Sequence, residues 1–127
     1  MTETRPHLVP GPDHPITVAP SERRVVVRVG SEVIADTLRA VELKEADYPP
    51  VMYVPLDAID RSRLRDSDRH TYCPYKGQAS YYDIVGREGP DLEAAAWYYP
   101  DPYPEVDAIG GLVAFYPDRV SITVDRP

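Results

Sequence analysis

Residues 71–82 read Thr71-Tyr72-Cys73-Pro74-Tyr75-Lys76-Gly77-Gln78-Ala79-Ser80-Tyr81-Tyr82. The stretch has no 3.6-residue apolar period. Pro74 also breaks any continuous helix, because it lacks an N–H and its ring clashes with the preceding turn. Residues 78–85 read instead as a strand, with Tyr81 on one face and Tyr82 on the other. Gly77 supplies the positive φ of a turn ahead of it. The four residues before Gly77 allow two readings. As a turn they fold Lys76 back toward Cys73; as a pure strand they send the two side chains to opposite faces.

Outward from this stretch the pattern is the same. Fifteen prolines among 127 residues cut the chain into short pieces, which read as short strands. Residues 24–29 are a β-branched run, and 32–36 return from it through a two-residue turn at Gly30-Ser31. Residues 38–45 read as a strand stopped by Tyr48-Pro49-Pro50. Residues 51–54 make a short apolar strand closed by Pro55. Residues 57–64 are expected to hold a helical turn with Asp57 as N-cap and with Ile59 and Leu64 facing inward. Residues 94–99 form another strand, and 100–104, with three prolines, an irregular extended loop. Residues 111–116 and 120–124 flank Pro117-Asp118-Arg119 and are expected to pair as a hairpin. The expected class is mainly β, with one or two short helical turns at most.

The length suits one domain with one core. Residues 1–15, with Pro6, Pro10, Pro12 and Pro15, read as an extended Pro-rich arm, and 16–127 as a single β domain. The net charge of −7 argues against tracking a nucleic-acid backbone. Arg61, Arg63, Arg65 and Arg69 alternate with Asp57, Asp60, Asp66 and Asp68, which reads as a solvated, self-compensating loop. No apolar run approaches the ~20 residues of a membrane-spanning helix, and no secretory leader is legible. The single cysteine, Cys73, excludes an internal disulfide and fits a cytoplasmic setting. With one cysteine, no Cys-x-x-Cys pair and three histidines, two of them in the arm, no metal site and no cofactor is expected.

Several separated blocks together resemble the bacterial family grouped as domain of unknown function 427. They are Glu45 with Tyr48-Pro49-Pro50-Val51-Met52-Tyr53-Val54-Pro55, the block from Thr71 to Gly77 with Ala79-Ser80-Tyr81-Tyr82, Ala96-Trp97-Tyr98-Tyr99-Pro100, and Val113-Ala114-Phe115-Tyr116 with Asp118-Arg119-Val120. The resemblance runs from about residue 20 to the C-terminus. Tyr98 stands where the family usually has a small residue. The resemblance implies a compact, twisted antiparallel β structure of the β-tent kind. Many β-tent domains hold zinc through two Cys-x-x-Cys pairs, which this chain lacks. The family is sometimes labelled a nucleotidyltransferase. That chemistry needs a Gly-Ser turn at a helix start followed shortly by Asp-x-Asp to hold two metal ions. Here Gly30-Ser31 falls in a hairpin, and Asp66-Ser67-Asp68 lies far downstream in a loop.

The candidate site gathers at the opening stretch. Cys73 and Lys76 are the candidate catalytic residues. A thiolate nucleophile needs a neighbouring cation, which Lys76 offers if the turn forms. The ordinary fate of a free cysteine is a small buried core position. Lys76 can also fix a carboxylate or phosphate. Glu45 is placed to pair with Lys76 or Arg24, and His70 reads as a surface histidine. Ten tyrosines against one phenylalanine point to aromatic walls carrying hydroxyls rather than to a plain core. Tyr53, Tyr75, Lys76, Tyr81, Trp97 and Tyr99 are the candidate ligand-binding residues. The expected function is a small-molecule-binding domain, with or without catalysis, whose pocket lies between the Cys73–Lys76 turn and Trp97. The ligand is expected to be planar or to carry a carboxylate. The alternative is a protein-interaction or accessory domain that uses the tyrosines and prolines as a contact surface.

Overall fold

The computed structural model describes residues 5–125. Its strands are β1 (Ile16–Pro20), β2 (Arg24–Val29), β3 (Glu32–Thr37), β4 (Val41–Glu45), β5 (Val51–Tyr53), β6 (Leu64–Cys73), β7 (Gly77–Ile84), β8 (Leu92–Tyr98), β9 (Val113–Phe115) and β10 (Ser121–Asp125). Short 3₁₀ segments lie at Leu56–Ala58, Arg61–Arg63 and Pro104–Ile109. The strands form three antiparallel sheets, ordered β1-β4-β5, β10-β2-β3 and β6-β7-β8-β9. The chain is mainly β, as its proline spacing requires.

The four-stranded sheet separates two apolar clusters because its residues alternate between faces. Tyr82, Ile84, Ala96, Val113 and Phe115 face the first cluster, whose other side is Val25, Val27, Ile34 and Ala35 of β2 and β3. Ala79, Tyr81, Trp97 and Ala114 face the second, together with Leu43 of β4 and Tyr53 of β5. Val54 and Val113 exchange backbone hydrogen bonds of 2.8 and 2.9 Å, so β5 is stitched to β9. This bridge sets β4 and β5 beside the β7–β9 wall, and the candidate site lies between them.

Local chemistry explains several elements. The β2–β3 turn has Gly30 at φ +59, which costs glycine little. The Tyr-Pro-Pro segment ends the β4 run and turns the chain into β5. Tyr98 stacks on Tyr82 at 4.6 Å and fills the edge of the first cluster.

Four expectations are corrected. The expected hairpin of 111–116 with 120–124 does not form. A turn with Arg119 N–H donating to the Tyr116 carbonyl is present, but β9 pairs with β8 and β10 crosses to pair with β2. Both strands find longer partners elsewhere, and turn chemistry cannot reveal that. Asp57 is not an N-cap. The region breaks into two 3₁₀ turns, and Asp60 caps the second by accepting from Ser62 N–H. Ile59 is buried and Leu64 half-buried, as expected. The charged segment is not a loop: residues 64–73 are β6, the edge strand of its sheet, with an irregularity between Asp66 and His70. Charged side chains are a normal way to blunt a sheet edge. Nor is Arg63 solvated. It is 2% exposed, with Nε donating to the Val85 carbonyl at 2.9 Å and Nη1 3.3 Å from Glu32. The segment Pro104–Ile109, which buries Val106 and Ile109, had no signal in the sequence beyond its proline.

The described part of the Pro-rich arm, residues 5–15, is tied down, and instead of running extended throughout it closes a tight turn in which Gly11 and His14 exchange backbone hydrogen bonds. Leu8 N–H donates to the Pro74 carbonyl at 2.9 Å, and the Tyr72 hydroxyl donates to the Pro6 carbonyl. His7 stacks on Tyr103 at 3.6 Å and sits 2.8 Å from Glu105. The arm therefore crosses the β6–β7 turn.

Candidate functional site

Between β6 and β7 the chain makes a tight turn. Lys76 N–H donates to the Cys73 carbonyl at 3.2 Å, and Gly77 follows at φ +111. Tyr103 N–H in turn donates to the Lys76 carbonyl at 2.9 Å, which fastens the turn to the segment after β8. Of the two readings of Cys73-Pro74-Tyr75-Lys76, the turn is the one that forms. The Lys76 side chain folds back, with Nζ 3.7 Å from Cys73 Sγ.

Lys76 is buried, 8% exposed, and its ammonium donates to Glu45 Oε1 at 2.5 Å. Glu45 ends β4, and its other oxygen lies 2.7 Å from His14 Nε2. The His14 ring stacks on Tyr75 at 4.1 Å and 7°. The result is a linear chain His14–Glu45–Lys76–Cys73 reaching from the arm to the thiol. Burial would raise the Glu45 carboxyl, but hydrogen bonds from Lys76 and then His14 outweigh it and hold the group below its ordinary range. Glu45 is thus a carboxylate with both oxygens occupied.

Beside this chain lies a cavity of about 240 Å³. Tyr53, Tyr81, Trp97, Tyr99 and Tyr116 form aromatic walls, and Glu45 and Lys76 form a polar one. The Trp97 indole N–H donates to the Tyr53 hydroxyl at 3.4 Å, which leaves the Tyr53 proton to donate elsewhere. Tyr81 and Tyr116 are joined through their hydroxyls at 3.4 Å, and Thr71 lies 2.9 Å from the Tyr81 hydroxyl. Burial raises the Tyr53 and Tyr99 phenols far above their ordinary value. Burial, then the contact with Tyr81, pushes Tyr116 up to about 12. These phenols are therefore neutral hydroxyls near neutral pH, able to donate. A ligand meets hydroxyls and an ammonium, while the one carboxylate is already engaged.

A second, more open depression of about 680 Å³ adjoins the first. The two share Glu45, Tyr48, Pro49, Val51 and Trp97. Its remaining walls are apolar, chiefly Met52 of β5, Phe115 of β9 and Ile122 and Val124 of β10. It runs between β5 and β10, each the last strand of its three-stranded sheet.

Of the six candidate ligand-binding residues, Tyr53, Lys76, Tyr81, Trp97 and Tyr99 line the small cavity. Tyr75 does not; its ring is covered by His14. Cys73 is half-buried against the second cluster and touches the site only through Lys76. His70 is exposed on β6, 3.3 Å from Ser80 Oγ. Of the two partners considered for Glu45, Lys76 is the one found; Arg24 pairs with Asp36. Sequence reading missed His14, set aside with the arm, and Tyr48, whose ring lies where both depressions meet. Tyr48 carried a signal, since it opens the Tyr-Pro-Pro block. His14 carried none.

Residues 17–126 match the family model described as a domain of unknown function, DUF427. The chain belongs to this family. No match to a curated protein was found. The arm, with His14, precedes the segment that defines the DUF427 domain. The nucleotidyltransferase label sometimes given to the family finds little here to rest on. Gly30-Ser31 is the β2–β3 turn, and Asp66-Ser67-Asp68 lies on edge strand β6 rather than beside it. Among the described residues no group of three or more His, Cys, Asp or Glu is placed to hold a metal ion.

Proposed function

We propose that this DUF427 domain binds a small planar molecule carrying a carboxylate or carbonyl, with its polar edge at Lys76 and its ring against Trp97. One observation carries the reading: Lys76, 8% exposed, and Trp97 line the same cavity, whose other polar groups are tyrosine hydroxyls and the Glu45 carboxylate that pairs with Lys76. Lys76 has three N–H donors and gives one to Glu45 and one toward Cys73 Sγ, so a third remains for an acceptor-bearing ligand. Aromatic walls with a few convergent polar groups are the usual make-up of a small-ligand site. Trp97 is the single tryptophan of the chain, so its emission reports on the cavity without labelling. Benzoate is expected to change that emission saturably, with a Kd on the order of a millimolar for so small a ligand. Lys76→Met should weaken binding at least tenfold while Tyr75→Phe leaves it unchanged. An emission that does not respond to benzoate sinks the proposal.

A protein-contact role is the alternative, favoured by the exposure of Tyr48, Pro49 and Pro50 beside the cavity mouth. It requires that Tyr48→Ala abolish a defined complex while benzoate binding is absent in the parent chain.

A further inference from the structure

The donor-lined cavity adjoins a second depression at Trp97. Its outer wall, formed by Tyr48, Pro49, Val51 and Trp97, is also the inner wall of the apolar depression between β5 and β10. Lys76 and the hydroxyls of Tyr53, Tyr81, Tyr99 and Tyr116 belong to the inner compartment alone, while Glu45, Tyr48 and Trp97 line both. Past Val51 the walls are Met52, Phe115, Ile122 and Val124, all carbon and sulfur at their tips. Phe115 is 3% exposed and forms the floor, while Ile122 and Val124 are half-buried and pack on the first cluster. The depression is thus an opening into the core rather than a loose surface patch. One molecule occupying both compartments must be polar at one end and apolar at the other.

We infer that the ligand is amphipathic, a planar carboxylate or carbonyl head bearing an unbranched apolar tail, with the tail laid along the β5–β10 groove. The inference rests on the proposed binding of a planar head at Lys76 and adds the class of molecule. Adjacency is the argument for this occupant over a peptide or a second copy of the chain: the groove adjoins the donor-lined cavity, and five residues line both. Size agrees. The inner volume of about 240 Å³ admits a single ring, whereas the groove's 680 Å³ admits a chain of several methylenes. Among the described residues no charged side chain other than Glu45 lines the groove, and Glu45 is turned to Lys76 and His14.

The test is a series of 4-alkoxybenzoates, from methoxy through butoxy to octyloxy, titrated below their aggregation limits against Trp97 emission. Burying a methylene tightens binding about three- to fourfold. The Kd should fall by roughly that factor per carbon until the groove is filled, and then level. Ile122→Asp should abolish this chain-length dependence and leave the affinity for benzoate within about twofold, because Ile122 does not line the inner cavity. Val124→Thr, nearly isosteric, guards against misfolding and should reduce the slope while the unfolding transition stays cooperative. A flat series alongside benzoate binding overturns the amphipathic ligand and leaves the head reading standing. A chain-length dependence that survives Ile122→Asp places the tail elsewhere and also overturns it. Should neither benzoate nor any homologue bind, both readings fall. Reversible self-association that Ile122→Asp removes would assign the groove to a second copy instead.

Discussion

Replacing Lys76 by methionine keeps the length and apolar stem of the side chain and removes only its charge. In the native chain the ammonium lies 2.5 Å from Glu45 Oε1, and the two side chains are 10% and 16% exposed. Removing one partner of a fully buried pair costs about 3–5 kcal/mol, because the other charge is left unsolvated. Glu45 keeps His14 at 2.7 Å and some access to water, so the loss should be smaller, about 2–3 kcal/mol at pH 7. The pH dependence is the sharper expectation. Glu45 has a depressed carboxyl in the folded chain. Its contribution is therefore fully present above the unfolded carboxyl value, near ~4.3, and is lost as pH falls through the folded value. Lys76→Met removes the main group holding that carboxyl down, so burial raises it instead. The variant's penalty should be largest near neutrality and shrink as pH falls, until the pH lies below the depressed carboxyl of the parent and Glu45 is protonated in both chains. Urea unfolding of the two chains at neutral and acid pH measures it, with Glu45→Gln/Lys76→Met expected to recover about half the neutral-pH loss. A penalty of equal size at both pH values would mean that packing, not charge, holds the turn.

Other outcomes follow from single contacts. His14→Ala should cost about 1 kcal/mol and raise amide exchange at Leu8, because it strips one partner from Glu45 and uncovers Tyr75. Gly77→Ala should destabilise by about 1–3 kcal/mol, since φ is +111 and the new methyl would lie 3.4 Å from the Asp101 carbonyl; an unchanged urea midpoint refutes this. Arg63→Leu should cost roughly 2–4 kcal/mol by leaving the buried Val85 carbonyl short of a donor, read from the same unfolding curves. Ultraviolet titration of the native chain should show Tyr53, Tyr72, Tyr99 and Tyr116 resisting ionisation through pH 10–11. Their raised phenols stabilise the fold fully below the unfolded value near ~10 and progressively less above it, so alkaline unfolding should release them together.

Much of the architecture was legible because it is written in local chemistry. The β2–β3 hairpin follows from a β-branched run and a Gly-Ser turn, and β7 and β8 from alternating aromatics. For Cys73–Lys76 the sequence left turn and strand open, and the turn is the one that forms. What was hidden is tertiary. β6 carries charge because it is an edge strand, and in sequence that looks like a solvated loop. β9 and β10 flank a sound turn, yet each pairs better elsewhere, and register with distant strands leaves no mark nearby. The cap on Glu45 was out of reach for a similar reason: His14 lies 31 residues away, in a segment whose composition suggests nothing but extension.

The docking of that arm orders events during synthesis. His7 and Glu105 are 98 residues apart, and Leu8 bonds to Pro74. These partners are made after the arm, so the segment must wait for them while the sheets assemble. At roughly 5–20 residues per second, that wait lasts several seconds. The arm's contacts thus close only after partners far downstream have been made, and a nascent chain halted before Lys76 would leave the segment open to proteases.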